Sequence, residues 1–212
     1  MLRIKVFNFS PFQENTYLLF NENKDAWLID PGCYFPEEEE TLKKYIADNH
    51  LKPVQLLHTH CHIDHIFGVK CVADNYNLEP YFHKDEEIIW QNAATVAQNY
   101  GIAYAPYKGA VHFLKEGNSV QLGNDELKII HTPGHSPGSI SYYNEQQNFL
   151  IDGDVLFYES VGRTDFPFCN HNDLMHSIRE KLFVLPDDTV VYPGHGKPTT
   201  IGYEKRNNPF LI

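Results

Sequence analysis

Hydrophobic positions in this chain fall into short runs broken by polar, glycine- and proline-containing stretches, a punctuation that predicts many strands and few long helices. Residues 2–7, 17–20 and 26–29 read as the first three strands. The period then changes. Pro36 followed by four glutamates opens a helix over residues 37–48, because proline suits the first helical position and carboxylates suit the positive end of the helix dipole. That acidic run is expected to be a solvated first turn with no function of its own. Residues 54–57, after Pro53, are an apolar run that reads as a buried strand, and residues 66–76 carry apolar positions at near-helical spacing. Two further helices are predicted over residues 85–100, ending before Gly101, and 172–183, ending before Pro186. Residues 127–130, 148–151 and 189–191 read as later strands. Strands that outnumber helices and interleave with them suit two sheets packed face to face with helices outside.

Composition narrows the class. At 212 residues, with no Ser/Gly linker, low-complexity tract or short repeat, the chain is expected to form one domain over residues 1–212. A net charge of −11 with only 17 basic residues argues against nucleic acid as a partner, since a phosphate backbone demands Lys/Arg patches. The first residues lack the charged start and long apolar core of a secretory leader, and no 18-residue apolar stretch exists, so a cytoplasmic protein that does not enter a membrane is expected. Cysteines at 33, 61, 71 and 169 form no C-x-x-C pair, which points away from a zinc knot or a disulfide framework.

The chemistry concentrates in one stretch. His60-Cys61-His62-Ile63-Asp64-His65 places three imidazoles and a carboxylate together, a cluster that weakens a fold unless a divalent cation occupies it. His60 and His62, two apart on extended backbone, face the same way and can share one ion, while Asp64 and His65 face a second position. Cys61 between them should point away and be buried beside the site. Three more donors each follow a strand-like run in a tight turn: His135 in Thr132-Pro133-Gly134-His135-Ser136-Pro137-Gly138, Asp154 in Asp152-Gly153-Asp154, and His195 in Pro193-Gly194-His195-Gly196. Singly, each reads as a turn residue or a satisfied histidine. Jointly with the first cluster they supply the donor set, including a carboxylate able to bridge, that two ions require.

These motifs, with Asp30-Pro31-Gly32, Gly162-Arg163-Thr164-Asp165-Phe166-Pro167 and Asn208-Pro209-Phe210-Leu211, resemble the metallo-β-lactamase-fold hydrolases, and within them the short bacterial enzymes of the glyoxalase II type. The resemblance implies an α/β fold, a four-layer αββα sandwich of two mixed sheets flanked by helices. It also implies one metal held by His60, His62, His135 and Asp154, and the other by Asp64, His65, His195 and the same Asp154. It further sets the chain apart from true β-lactamases, which usually lack an aspartate ligand in the first motif. In the longer glyoxalase II enzymes a C-terminal segment with basic residues follows the Asn-Pro-Phe motif and holds glutathione. This chain stops at Ile212, so glutathione is an uncertain thiol carrier, with Lys205 and Arg206 as the available substitutes.

The expected cofactors are two divalent ions, zinc first, with iron or manganese as alternatives. The expected partner is a small-molecule substrate, and the oligomeric state is left open. Such a centre makes a nucleophile from water without a Ser or Cys, and a thioester suits it because a thiolate leaves with little protonation. Asp64 is the candidate for orienting that water. Arg163 is the candidate clamp for a substrate carboxylate, Tyr104, Tyr107 and Phe166 are candidate pocket walls, and Asp30, Asp152 and His58 are candidates to brace the imidazoles. Two alternatives stand beside thioester hydrolysis: hydrolysis of another bond such as a lactone, and an oxidoreductase similar to persulfide dioxygenases, with a single iron on His60, His135 and Asp154.

Overall fold

Every residue of the strand Glu14–Phe20 (β2) is buried, with Tyr17 and Leu19 on one face and Leu18 and Phe20 on the other. A strand buried on both faces needs cover on both. In the computed structural model, which describes residues 1–212, that cover is a second sheet on one side and helices on the other.

The first sheet follows chain order: Arg3–Phe9 (β1), β2, Asp25–Ile29 (β3), Lys52–Leu57 (β4), Pro80–His83 (β5) and His112–Leu114 (β6). Its first two pairings are antiparallel and the next three parallel. After residues 115–118 the chain enters the second sheet with Ser119–Leu122 (β7), Asp125–His131 (β8), Ile140–Asn144 (β9) and Phe149–Gly153 (β10). A small hairpin, Leu156–Phe157 (β11) and Ser160–Val161 (β12), precedes Val190–Pro193 (β13) and Thr199–Thr200 (β14). The spatial order is β14-β13-β10-β9-β8-β7, with only β10 and β13 parallel. The chain therefore passes between the six-stranded sheets once.

Tyr17, Trp27, Ile29 and Leu57 of the first sheet meet Ile129, Tyr142, Phe149 and Ile151 of the second in the central layer. On the outer face of the first sheet, Leu18, Leu28 and Leu56 pack on Pro36–Asp48 (α1), Val69–Tyr76 and Glu87–Asn99 through Leu42, Ile46, Val69, Val72 and Ala93. On the outer face of the second, Leu150 and Val191 pack on Leu174, Ile178, Leu182 and Ile201. The expected four-layer αββα arrangement of two mixed sheets is the observed one. No helix is long and apolar enough to cross a membrane.

Boundaries depart from the pattern for identifiable reasons. The helix read at 66–76 is two: Ile63–Ile66 (α2) and Val69–Tyr76 (α3), broken at Gly68, where a side chain would strike Cys33 Sγ at 2.2 Å. The helix read from 85 opens with a tight 3-10 turn, Lys84–Glu86, before Glu87–Asn99 (α4). The helix read at 172–183 is α only over His171–His176 (α5) and widens into a π turn, Ser177–Leu182; Ile201–Asn207 (α6) closes the order. The acidic run also needs correction. Glu38 is not a solvated ornament: its carboxylate accepts from the Ser10, Tyr34 and Phe35 amides at 2.8, 2.8 and 3.1 Å, capping α1 and tying it to the loop after β1.

Candidate metal centre

All seven donors converge where strands of both sheets end. β4 delivers His58-Thr59-His60, α2 carries Asp64 and His65, and the turns after β8, β10 and β13 bring His135, Asp154 and His195. Two triads result, each with donor atoms within 4.8 Å of one another: His60, His62 and His135, and Asp64, His65 and His195. Asp154 stands between them. Its Oδ1 lies 3.5 Å from His65 Nε2, and its Oδ2 lies 3.4 Å from His135 Nε2 and 3.6 Å from His195 Nε2.

Four of the five imidazoles are aimed inward by a hydrogen bond on the far side of the ring. His60 Nδ1 meets Thr59 Oγ1 at 3.1 Å, and His65 Nδ1 meets Asp30 Oδ2 at 3.1 Å. His135 Nδ1 donates to the Arg163 carbonyl at 2.9 Å, and His195 Nδ1 donates to the Phe12 carbonyl at 3.1 Å. Each partner holds the ring by Nδ1 and turns Nε2 toward the centre, where His135 Nε2 meets His62 Nδ1 at 2.8 Å. The buried His60 Nε2, His65 Nε2 and Asp154 Oδ1 have no hydrogen-bond partner in the protein. Buried polar atoms left unpaired are costly, and here they point into one space lined by nitrogen and carboxylate oxygen, so the donor set fits divalent cations of the zinc type.

The electrostatics divide the centre. His60 and His135 are held below the usual imidazole range and His62 is pushed down to about 3, in each case by burial first; the neighbouring imidazoles add to it. Burial opposes charge on His65 and His195 as well, but the carboxylates of Asp154 and Asp64 outweigh it and raise both. Those imidazoles in turn hold Asp64 and Asp154 low against the same burial. One triad is thus a set of neutral lone pairs. The other is charge-compensated. The side chains of His195 and Asp64 are 28% and 15% exposed and His62 is also half-buried, whereas His60 and His65 are fully buried at the base of both triads.

Of the three expected braces, only Asp30 meets a clustered imidazole. It also accepts from the Thr59 amide at 2.8 Å and is held low, burial being outweighed by His58 and His65. His58 Nδ1 stays 3.6 Å from Asp30, and Asp152 accepts from the Leu156 amide instead. Arg163 spends its fork on Asp165, Nε and Nη2 each at 2.7 Å, and its guanidinium stacks 4.0 Å above Phe166. What Arg163 gives the centre is its carbonyl. Phe166 lies edge-on to His62 at 5.6 Å, but Tyr104 packs on Phe67 and Tyr107 on Trp90, away from the donors. Cys61 is buried in the helix-side core, as expected.

Two residues escaped the sequence reading. Asn15 Nδ2 donates to the Pro193 and Gly196 carbonyls at 3.0 and 2.9 Å, straddling His195 from the opposite sheet. Glu86 is wholly buried and joins the loops of His60–His62 and His135. A buried polar side chain in an otherwise apolar or helical segment carries no sequence signal of its own. Gly194 is required by contact: a Cβ there would sit 2.1 Å from Asp154 Oδ1.

The model of the metallo-beta-lactamase superfamily matches residues 9–195. The chain belongs to the metallo-beta-lactamase superfamily. Among relatives in this superfamily of metal-dependent hydrolases, it is 35% identical over 215 residues to the hydroxyacylglutathione hydrolase GloC of Haemophilus influenzae, covering 99% of this chain and 98% of that protein. The crystal structure of the BLEG-1 B3 metallo-beta-lactamase superposes with a TM-score of 0.91 at 38% identity, covering 99% of this chain and all of that one. TTHA1623, solved in a di-iron-bound form, gives a TM-score of 0.88 at 35% identity over 98% of this chain and all of its own.

Proposed function

We propose that the chain hydrolyses thioesters of small acyl thiols, with two divalent cations held by His60, His62 and His135 on one side, Asp64, His65 and His195 on the other, and Asp154 between. The observation that carries this reading is the placement of Asp154, whose Oδ2 lies between His135 of one triad and His195 of the other while its Oδ1 faces His65. A pair of ions held there supplies Lewis acidity and brings the pKa of a shared water toward neutrality. The named activity of the Haemophilus influenzae relative supports a thioester as the substrate class.

The chain's own part follows from its side chains. Asp64, partly exposed and 3.2 Å from His195 Nε2, sits where its carboxylate accepts a hydrogen bond from the attacking water and turns the lone pair of that water inward. No protein nucleophile is needed. Cys169, the thiol beside the His135 loop, donates to the His135 carbonyl at 2.8 Å and burial keeps its pKa high, so it stays a thiol. Phe166 walls the centre beside His62, and Arg163 above it offers a cation to an anionic end of the acyl thiol once Asp165 yields.

The test is protein purified without added metal, assayed for zinc, iron and manganese, then offered acyl thioesters, a lactone panel and a chromogenic β-lactam. Thiol release with two ions per chain supports the reading. Absence of thiol release from every thioester in metal-replete protein ends it, and hydrolysis of the lactone or the β-lactam alone replaces it. One iron per chain with persulfide-dependent oxygen uptake would place the chain with the oxidoreductases.

A further inference from the structure

Glu86 is a carboxylate with no exposed surface, in the 3-10 turn after β5, and it touches none of the seven donors. Its three hydrogen bonds go to the two loops that carry one triad. Oε2 accepts from the Cys61 amide at 2.7 Å, between His60 and His62. Oε1 accepts from the Gly138 amide at 2.7 Å and the Ser136 hydroxyl at 2.5 Å, just past His135. The first loop hangs from one sheet and the second from the other. Gly138 permits the approach, since a Cβ there would lie 2.7 Å from the Glu86 amide.

We infer that Glu86 is a positioning residue that sets the spacing of the His60–His62 loop and the His135 loop, and through it the affinity of that triad for its cation; this deepens the metal reading above and rests on it. A carboxylate has only acceptors to offer, which suits three donors arriving from two directions. Both oxygens are engaged. Movement of either loop must therefore stretch a charge-assisted bond inside the protein, where nothing else can replace it.

Glu86→Gln tests this at nearly constant volume. Its Oε1 still accepts but its NH2 cannot, so one loop keeps its acceptor and the other faces a donor. Zn²⁺ affinity, measured by chelator competition on wild type and variant, is expected to fall about 10- to 100-fold, the usual range for a residue supporting a metal ligand. The visible spectrum of the Co²⁺-loaded variant is expected to shift with the altered ligand angles. Ser136→Ala removes one donor of the three and should weaken Zn²⁺ in the same direction by several-fold, which keeps the test open if Glu86→Gln folds poorly. Equal Zn²⁺ affinity and an unchanged Co²⁺ spectrum in variants that fold overturn the inference and leave the thioester reading intact. Wild-type protein that holds no ion overturns both, and weakened Zn²⁺ binding in a protein inert to every thioester upholds this inference alone.

Discussion

At the scale of single residues, the centre is a set of lone pairs aimed by partners outside it. The sequence displayed the donors because imidazoles and carboxylates in Gly/Pro-rich turns after strands stand out, and it displayed Asp30 through its Asp-Pro-Gly turn. Glu86 and Asn15 stayed hidden because their partners, main-chain groups and the Ser136 hydroxyl, are distant in sequence. Replacing Asp154 by Ala should lower the metal content from two toward one ion per chain and reduce turnover by more than about 10³-fold, a loss of about 4 kcal/mol of transition-state stabilisation. Metal analysis beside steady-state kinetics checks this, and full occupancy with full activity would remove Asp154 from between the triads. Arg163→Ala should raise KM about tenfold for an anionic acyl thiol and leave kcat near wild type, the mark of uniform binding. If KM does not move, Arg163 is only the exposed ion-pair partner of Asp165.

At the scale of elements, strand alternation was readable wherever side chains were apolar. It failed at the start of β2, where Glu14, Asn15 and Thr16 are buried but polar. Glu14 forms a β-bridge to His195, the Asn15 amide donates to the Gly194 carbonyl at 2.7 Å while its side chain holds the Pro193 and Gly196 carbonyls, and the Thr16 hydroxyl accepts from the Gly32 amide at 2.9 Å. Their burial is set by these polar partners, and hydrophobicity cannot report it. The breaks at Gly68 and in the π turn likewise depend on what each helix meets in space. Asn15→Ala takes one donor from each of two carbonyls of the His195 turn; the Tyr17 hydroxyl still donates to Pro193 at 2.6 Å and Gly196 is exposed, so the cost is about 1 kcal/mol in all. The expected outcome is a lower melting temperature together with faster loss of metal to a chelator. A melting shift with no change in metal release would mean that the turn holds its shape unaided.

At the scale of the whole molecule, pH acts through a carboxyl buried against its preference. Desolvation pushes Glu86 up to about 7, against a partial offset from its three hydrogen bonds. An acid whose folded-state pKa is raised binds its proton more tightly folded than unfolded. Its contribution is full below pH ~4.5 and is lost as pH rises toward 7. In chelator-treated protein the unfolding free energy of Glu86→Gln minus that of wild type should therefore grow by about 3 kcal/mol between pH 4.5 and 8. Denaturant titrations across that interval measure it, and a flat difference would show that the carboxyl titrates as in water.

The single passage between the sheets, at residues 115–118, has a mechanical consequence. Four donors precede it and three follow it, so any ion bound by both Asp154 and the α2 residues, or by His60 and His135 together, rivets one half of the chain to the other. A proteolytic nick at Glu116 or Gly117 should leave two fragments that travel together through a sizing column. Stripping the ions should then let them part more readily in mild denaturant than the same nicked protein kept loaded.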